Sequence, residues 1–155
     1  MPPPTDHVQP YEGDEPYIFI SYSRKDLDSV RPVLQALTER GVRLWWDLGL
    51  HAGEDYGERL EQRVDASAGL VVFLSPNSTK KKSQNWVLTE TRHAAEAGKE
   101  VVPVMLHECA LPLDWKALVE HLQIVAAGRA GGESVVQGIV DRASALGCIR
   151  AQESP

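Results

Sequence analysis

Nowhere in these 155 residues is there an apolar run approaching the ~18 that a membrane-crossing helix needs. No apolar signal core follows the N-terminus either, so the expected location is cytoplasmic and the membrane is not an expected partner. Cysteine is scarce. Cys109 and Cys148 are too few for a disulfide framework and are expected to be free thiols. Positive charge is also short: the formal net charge is −6 and the pI is near 5.3. That balance argues against nucleic acid or an anionic membrane surface as the main partner. Lys80-Lys81-Lys82 is the one basic run and reads as a solvated loop. There is no glycine-rich dinucleotide fingerprint, so no tightly held nucleotide cofactor is expected. Glu90 and His93 have the Glu-x-x-His spacing of helical metal sites, but a second copy is missing, and His107 and Cys109 lack further ligand pairs. No metal is expected.

What is present is a regular alternation. Residues 1–15, with Pro2, Pro3, Pro4 and Pro10 among polar groups, read as a disordered tail or linker. Residues 150–155 read as a frayed end, leaving one domain over 16–149. Within it, Tyr17–Ile20 is an aromatic and β-branched strand. Leu27, Val30, Leu34 and Leu37 recur at helical spacing, and Gly41 closes that helix. Pro32 fits only a first turn, which predicts a helix start near Asp28. Val42–Trp46 is a second strand, with Trp45 and Trp46 on opposite faces, one of them in the core and the other near the following loop. Asp47–Glu54 is a loop, and Tyr56, Leu60 and Val64 mark a second helix. Leu70–Leu74 is uninterrupted and apolar, as a central strand covered on both faces should be. Ser75-Pro76-Asn77 breaks it, and the next helix runs to about Ala97. Val101–Leu106 is a fourth strand, in which Pro103 suggests an edge-like position. Trp115–Val119 is a short helix, Leu122–Val125 a fifth strand, and Val135, Ile139, Val140, Ala143 and Leu146 line a last helix.

Strands alternating with helices imply a parallel sheet with helices on both faces, a flavodoxin-like three-layer sandwich with strand order 2-1-3-4-5. In such open sheets, ligands sit outside the carboxyl ends of the strands. Those ends are Ser21–Arg24, Asp47–Gly53 and Ser75–Glu90. The last segment carries Trp86 and Glu90, one helical turn apart and hence stacked on one helix face. An anonymous glutamate on an amphipathic helix is usually only a solvated residue. A phosphorylatable aspartate, which a receiver domain needs at the end of its third strand, is replaced here by Leu74-Ser75.

Several segments, in order, resemble the TIR (Toll/interleukin-1 receptor) family, and its bacterial members in particular. They are Phe19-Ile20-Ser21-Tyr22-Ser23 with Asp26; Gly41–Asp47 followed by Gly53; Val72–Pro76; Ser83, Trp86, Val87 and Glu90; and Ala94, Gly98-Lys99 and Val102–Val104. The resemblance implies one of two jobs. Some members are non-catalytic modules that associate with other TIR domains. Others cleave NAD+ at the nicotinamide–ribose bond, giving linear or cyclic ADP-ribose in immune signalling, antiphage defence included. In the enzymatic group the essential glutamate lies one turn past a tryptophan, which corresponds to Glu90 and Trp86. The resemblance implies substrate contacts from Tyr22, Ser23 and Arg24 in the loop after the first strand and from Asp47 after the second, the alternative for Asp47 being a cap of its loop or of the second helix. The chain has Ser23-Arg24 where some enzymatic members have two basic residues. The loop after the second strand, with Leu48, Gly49, Leu50 and Gly53, corresponds to the family's BB loop, a frequent contact between protomers. The resemblance thus implies NAD+ as a substrate rather than a cofactor, and other TIR domains, a second copy included, as partners.

The chemistry suits a single carboxylate. Cleavage of an N-glycosidic bond passes through an oxocarbenium-like transition state that a nearby carboxylate stabilises. Nicotinamide leaves readily from a cationic ring nitrogen, so no strong general acid is required. Trp86 would pack on the nicotinamide or ribose, unless it is core, and Arg24 would pair with the pyrophosphate. The competing readings are the non-catalytic interaction module and, more distantly, a nucleoside 2-deoxyribosyltransferase-like enzyme on a similar fold.

Overall fold

The short apolar runs become strands, and the amphipathic stretches between them become helices. In chain order these are β1 (Ile18–Ser21), α1 (Leu27–Glu39), β2 (Leu44–Trp46), α2 (Tyr56–Ala66), β3 (Gly69–Leu74), α3 (Pro76–Thr79), α4 (Trp86–Glu96), β4 (Glu100–Met105), α5 (Leu113–Val119), β5 (Val125–Ala126) and α6 (Gly132–Ala145). The structure, a computed structural model, describes residues 10–47, 56–81, 85–126 and 132–149. Leu48, Gly49, Leu50 and Gly53, expected in a protomer contact, lie outside the described residues, as does Ser83.

The strands form one parallel sheet in the order β2-β1-β3-β4-β5. This is the flavodoxin-like order read from the sequence. Side chains of a strand alternate between faces, and β1 shows the consequence. Ile18 and Ile20 join the core layer built with α1 and α6, while Tyr17 and Phe19 join the layer built with α2, α4 and α5. Trp45 and Trp46 likewise part to opposite layers, but both are buried, so neither is held back for the loop.

Several boundaries differ from the sequence reading. Pro32 lies inside α1, in its second turn rather than its first. It is tolerated because it is exposed, so water can satisfy the carbonyl left without its helical partner. The fifth strand is shorter and later than Leu122–Val125. Leu122 is still held by the turn after α5, its N–H bonding the Val119 carbonyl at 2.9 Å. Strand β4 is internal and not an edge. Its pairing with β5 covers only Val104 and Met105, so Pro103 sits just before that short ladder, where a missing donor matters least. Gly41 ends α1 with φ 84°, a left-handed conformation that favours glycine.

Residues 10–15, placed by composition in the N-terminal tail, lie along the free edge of β2. The Tyr11 N–H donates to the Leu44 carbonyl at 2.7 Å. Glu12 accepts from the Trp45 indole at 3.3 Å and from Arg63 of α2 at 2.7 Å. The strap therefore satisfies part of an edge strand that would otherwise offer open backbone groups. Both cysteines are free, and no described helix is long and apolar enough to cross a membrane.

Candidate functional site

The site begins where β1 and β3 end. Helix α4 starts at Asn85, whose side-chain oxygen accepts from the Leu88 N–H at 3.2 Å and caps the first turn. The Asn85 amide in turn donates to the Ser78 carbonyl at 2.9 Å. This second bond ties the start of α4 to α3, and hence to the end of β3. Glu90 is then delivered, one turn in, to the carboxyl end of β1.

Glu90 is buried, at 9% exposure. Its Oε1 accepts a 2.6 Å hydrogen bond from the Ser21 hydroxyl. Its Oε2 has no hydrogen-bond partner among the described residues. Burial pushes the Glu90 carboxyl up from 4.5 to about 8. The Ser21 bond and the Arg24 charge oppose the rise, and the Asp47 charge adds to it. The resting site therefore holds a largely protonated carboxyl at neutral pH, because a buried anion without a full set of partners is penalised.

Trp86 lies half-buried one turn before Glu90, packed against the α2–α4 core layer. Its ring lies over Gly57 of α2; a Cβ at Gly57 would fall 2.9 Å from the indole. Trp86 and Glu90 share a groove of about 220 Å³ between α2 and α4, also lined by Leu60, Val64, Glu61 and His93. His93 faces α2 across this groove, with Nε2 2.8 Å from Asp65 and Nδ1 3.6 Å from Glu61.

The other residues expected at the site form a separate cluster. The Tyr22 hydroxyl donates to the Asp47 carbonyl at 2.9 Å, and Arg24 pairs with the Asp47 carboxylate at 3.0 Å. Burial, with Asp47 beside it, pushes the Tyr22 phenol up to about 12. Ser23 is buried and precedes the 3-10 turn Arg24–Asp26, its carbonyl accepting from the Asp26 N–H at 2.8 Å. None of Tyr22, Ser23, Arg24 or Asp47 lines the α2–α4 groove. Tyr22, Arg24 and Asp47 clasp the loop after β1 to the end of β2, and the charges of Asp47 and Arg24 act on Glu90.

Ser21 and Asp26 stand in the segments singled out from the sequence, but without a role. Ser21 is signalled by alternation, since it shares the face of Tyr17 and Phe19 and so must point toward the α4 side. Asp26 is buried and accepts from the Ser75 hydroxyl and, at 2.7 Å, from the Asn77 amide. It joins the loops after β1 and β3, and nothing local in the sequence announces that role.

An open parallel sheet with helices on both faces and strand order β2-β1-β3-β4-β5 defines the chain as a flavodoxin-like α/β domain. A model of the TIR domain matches residues 18–135, and the chain belongs to that family. Solved TIR domains share the fold. That of the Toll-related receptor TRR-2 from Hydra magnipapillata has TM-score 0.65 and 15% identity, over 81% of this chain and 94% of that one. The TIR domains of the activated Roq1 resistosome, which recognises the pathogen effector XopQ, have TM-score 0.65 and 19% identity, over 83% and 99%. The RPS4 and RRS1 TIR heterodimer gives 0.58 and 15%, over 86% and 99%. No curated protein matches the chain.

Proposed function

We propose that this TIR domain is an NAD+ glycohydrolase or cyclase that breaks the nicotinamide–ribose bond, with Glu90 as the catalytic carboxylate. The observation that carries this reading is the Glu90 carboxyl itself: buried, bonded to Ser21 at one oxygen, and lining a groove one turn past the Trp86 ring. The C1′–N bond would break with its electron pair leaving on the nicotinamide nitrogen, which neutralises the ring. The ribosyl cation would then be captured by water, which loses its proton to solvent, or by an adenine nitrogen to give a cyclic product. An ionised Glu90 stabilises that cation. A cationic nicotinamide beside Glu90 favours the ionised form, which offsets the burial that raises its pKa.

A groove of about 220 Å³ is smaller than the roughly 300–1,000 Å³ of sites that bury a small ligand well. A second TIR domain, docked beside the end of β2, would supply the missing wall, so self-association is part of the proposal, as is a role in immune signalling within the cytoplasm. One observation favours the alternative of a non-catalytic interaction module: Tyr22 and Arg24 are engaged in bracing Asp47 at the root of the loop 48–53. Incubation of the purified protein with NAD+ over a hundredfold concentration range, with product separation and a Glu90→Ala control, decides between them. Release of nicotinamide that rises faster than linearly with protein and vanishes in the variant is expected. Absence of release at every concentration would leave the interaction module.

A further inference from the structure

We propose that Ser21 is a positioning residue for Glu90, fixing Oε1 so that Oε2 is the oxygen presented to the ribosyl cation. This rests on the reading of Glu90 as the catalytic carboxylate. Ser21 is the last residue of β1, 1% exposed and in register with Val72 of the neighbouring strand, so its backbone is held by the sheet. A hydroxyl has one proton to donate, and this one goes to Glu90 at 2.6 Å. The terminal torsion of a glutamate is otherwise broad. With one oxygen anchored to a strand, rotation about that torsion is blocked and the second oxygen has one direction.

The bond also acts on the proton. A hydroxyl donates more strongly to a carboxylate than to a neutral carboxylic acid, so Ser21 favours the ionised form that cleavage needs. The other titratable or charged groups around Glu90 among the described residues are Tyr22, Arg24 and Asp47 where β1 and β2 end, and Glu61, Arg92, His93 and Glu96 along the α2–α4 groove. A change confined to Ser21 leaves all of them in place. Sixty-nine positions separate the two partners, and no other side-chain bond of Glu90 duplicates this one among the described residues.

The test compares Ser21→Ala, Ser21→Cys and Ser21→Thr with the unaltered chain. Cys keeps the volume and weakens the donor, and Thr restores it. Ala and Cys are expected to lower kcat about 10- to 100-fold with little change in KM, as misplacement of a reacting group does. The acid limb of the kcat/KM profile should move to higher pH by roughly one unit. Thr should recover most of both. An NMR titration of the Glu90 side-chain carboxyl, run without NAD+, should show the same upward move in Ala and Cys. A merely structural role would lower thermal stability without shifting either titration. If the Glu90 midpoint is the same in all four proteins, the inference about Ser21 is wrong whatever the activity. If the midpoint moves but Glu90→Gln cleaves NAD+ at the unaltered rate, Ser21 holds Glu90 as described and it is the catalytic reading of Glu90 that falls, taking the positioning role with it.

Discussion

Replacing Glu90 by glutamine should stabilise the protein at alkaline pH and leave it nearly unchanged at acid pH. The folded carboxyl sits at about 8 against an ordinary 4.5. The stability tied to its proton is therefore fully present below about pH 4.5 and is lost as pH rises through about pH 8. In that window the unfolded chain releases a proton that the folded chain retains. Converted at 1.36 kcal/mol per unit, the separation has a ceiling of roughly 5 kcal/mol. Relaxation and water entry around a buried ion reduce such figures, leaving about 2–4 kcal/mol at pH 9. Glutamine never ionises, and its Oε1 can still accept from Ser21, so the variant avoids the penalty and keeps the bond. The assay is urea unfolding, followed by tryptophan fluorescence, of both proteins at pH 5, 7 and 9. Subtracting one from the other cancels every other titrating group. The difference should be near zero at pH 5 and should grow to the full value by pH 9, or about 5–15 °C in Tm. A difference that is constant from pH 5 to 9, or a glutamine variant less stable at pH 9, would show that Glu90 is not carrying a burial penalty.

Asp26→Ala strands one buried donor, the Ser75 hydroxyl, and one half-buried donor, the Asn77 amide, and should cost about 1–3 kcal/mol. Denaturant melts that lose less than about 0.5 kcal/mol would contradict the bracing role given to it. Gly57→Ala places a methyl 2.9 Å from the Trp86 ring while gaining helix propensity worth up to about 1 kcal/mol. Melting should therefore be little changed while KM for NAD+ rises several-fold. Unchanged KM in a well-folded variant would remove Trp86 from the substrate wall.

The order of elements was legible because it depends on local patterns. Apolar runs of strand length, the helical recurrence of Leu27, Val30, Leu34 and Leu37, and Gly41 at the end of that helix each act over a few residues. The opposition of Trp45 and Trp46 follows from strand alternation alone, and so does the face of Ser21. Length of β5 was less legible, because a ladder ends where its partner ends. Residues 10–15 were read from proline and acidic content, yet Tyr11 and Glu12 have partners on β2 and α2, and composition does not report partners.

By itself the sequence determined the sheet, its two core layers and the presence of Trp86 and Glu90 on one helix face, since periodicity and chain order are properties of neighbours along the chain. Only the tertiary structure decided that Glu90 is buried against Ser21 while Arg24 turns to Asp47. It also set Asp26 as the tie between two loops. These are pairings across crossovers, chosen by how helices seat on the sheet, and the raised pKa of Glu90 exists only because that seating takes its carboxyl out of water.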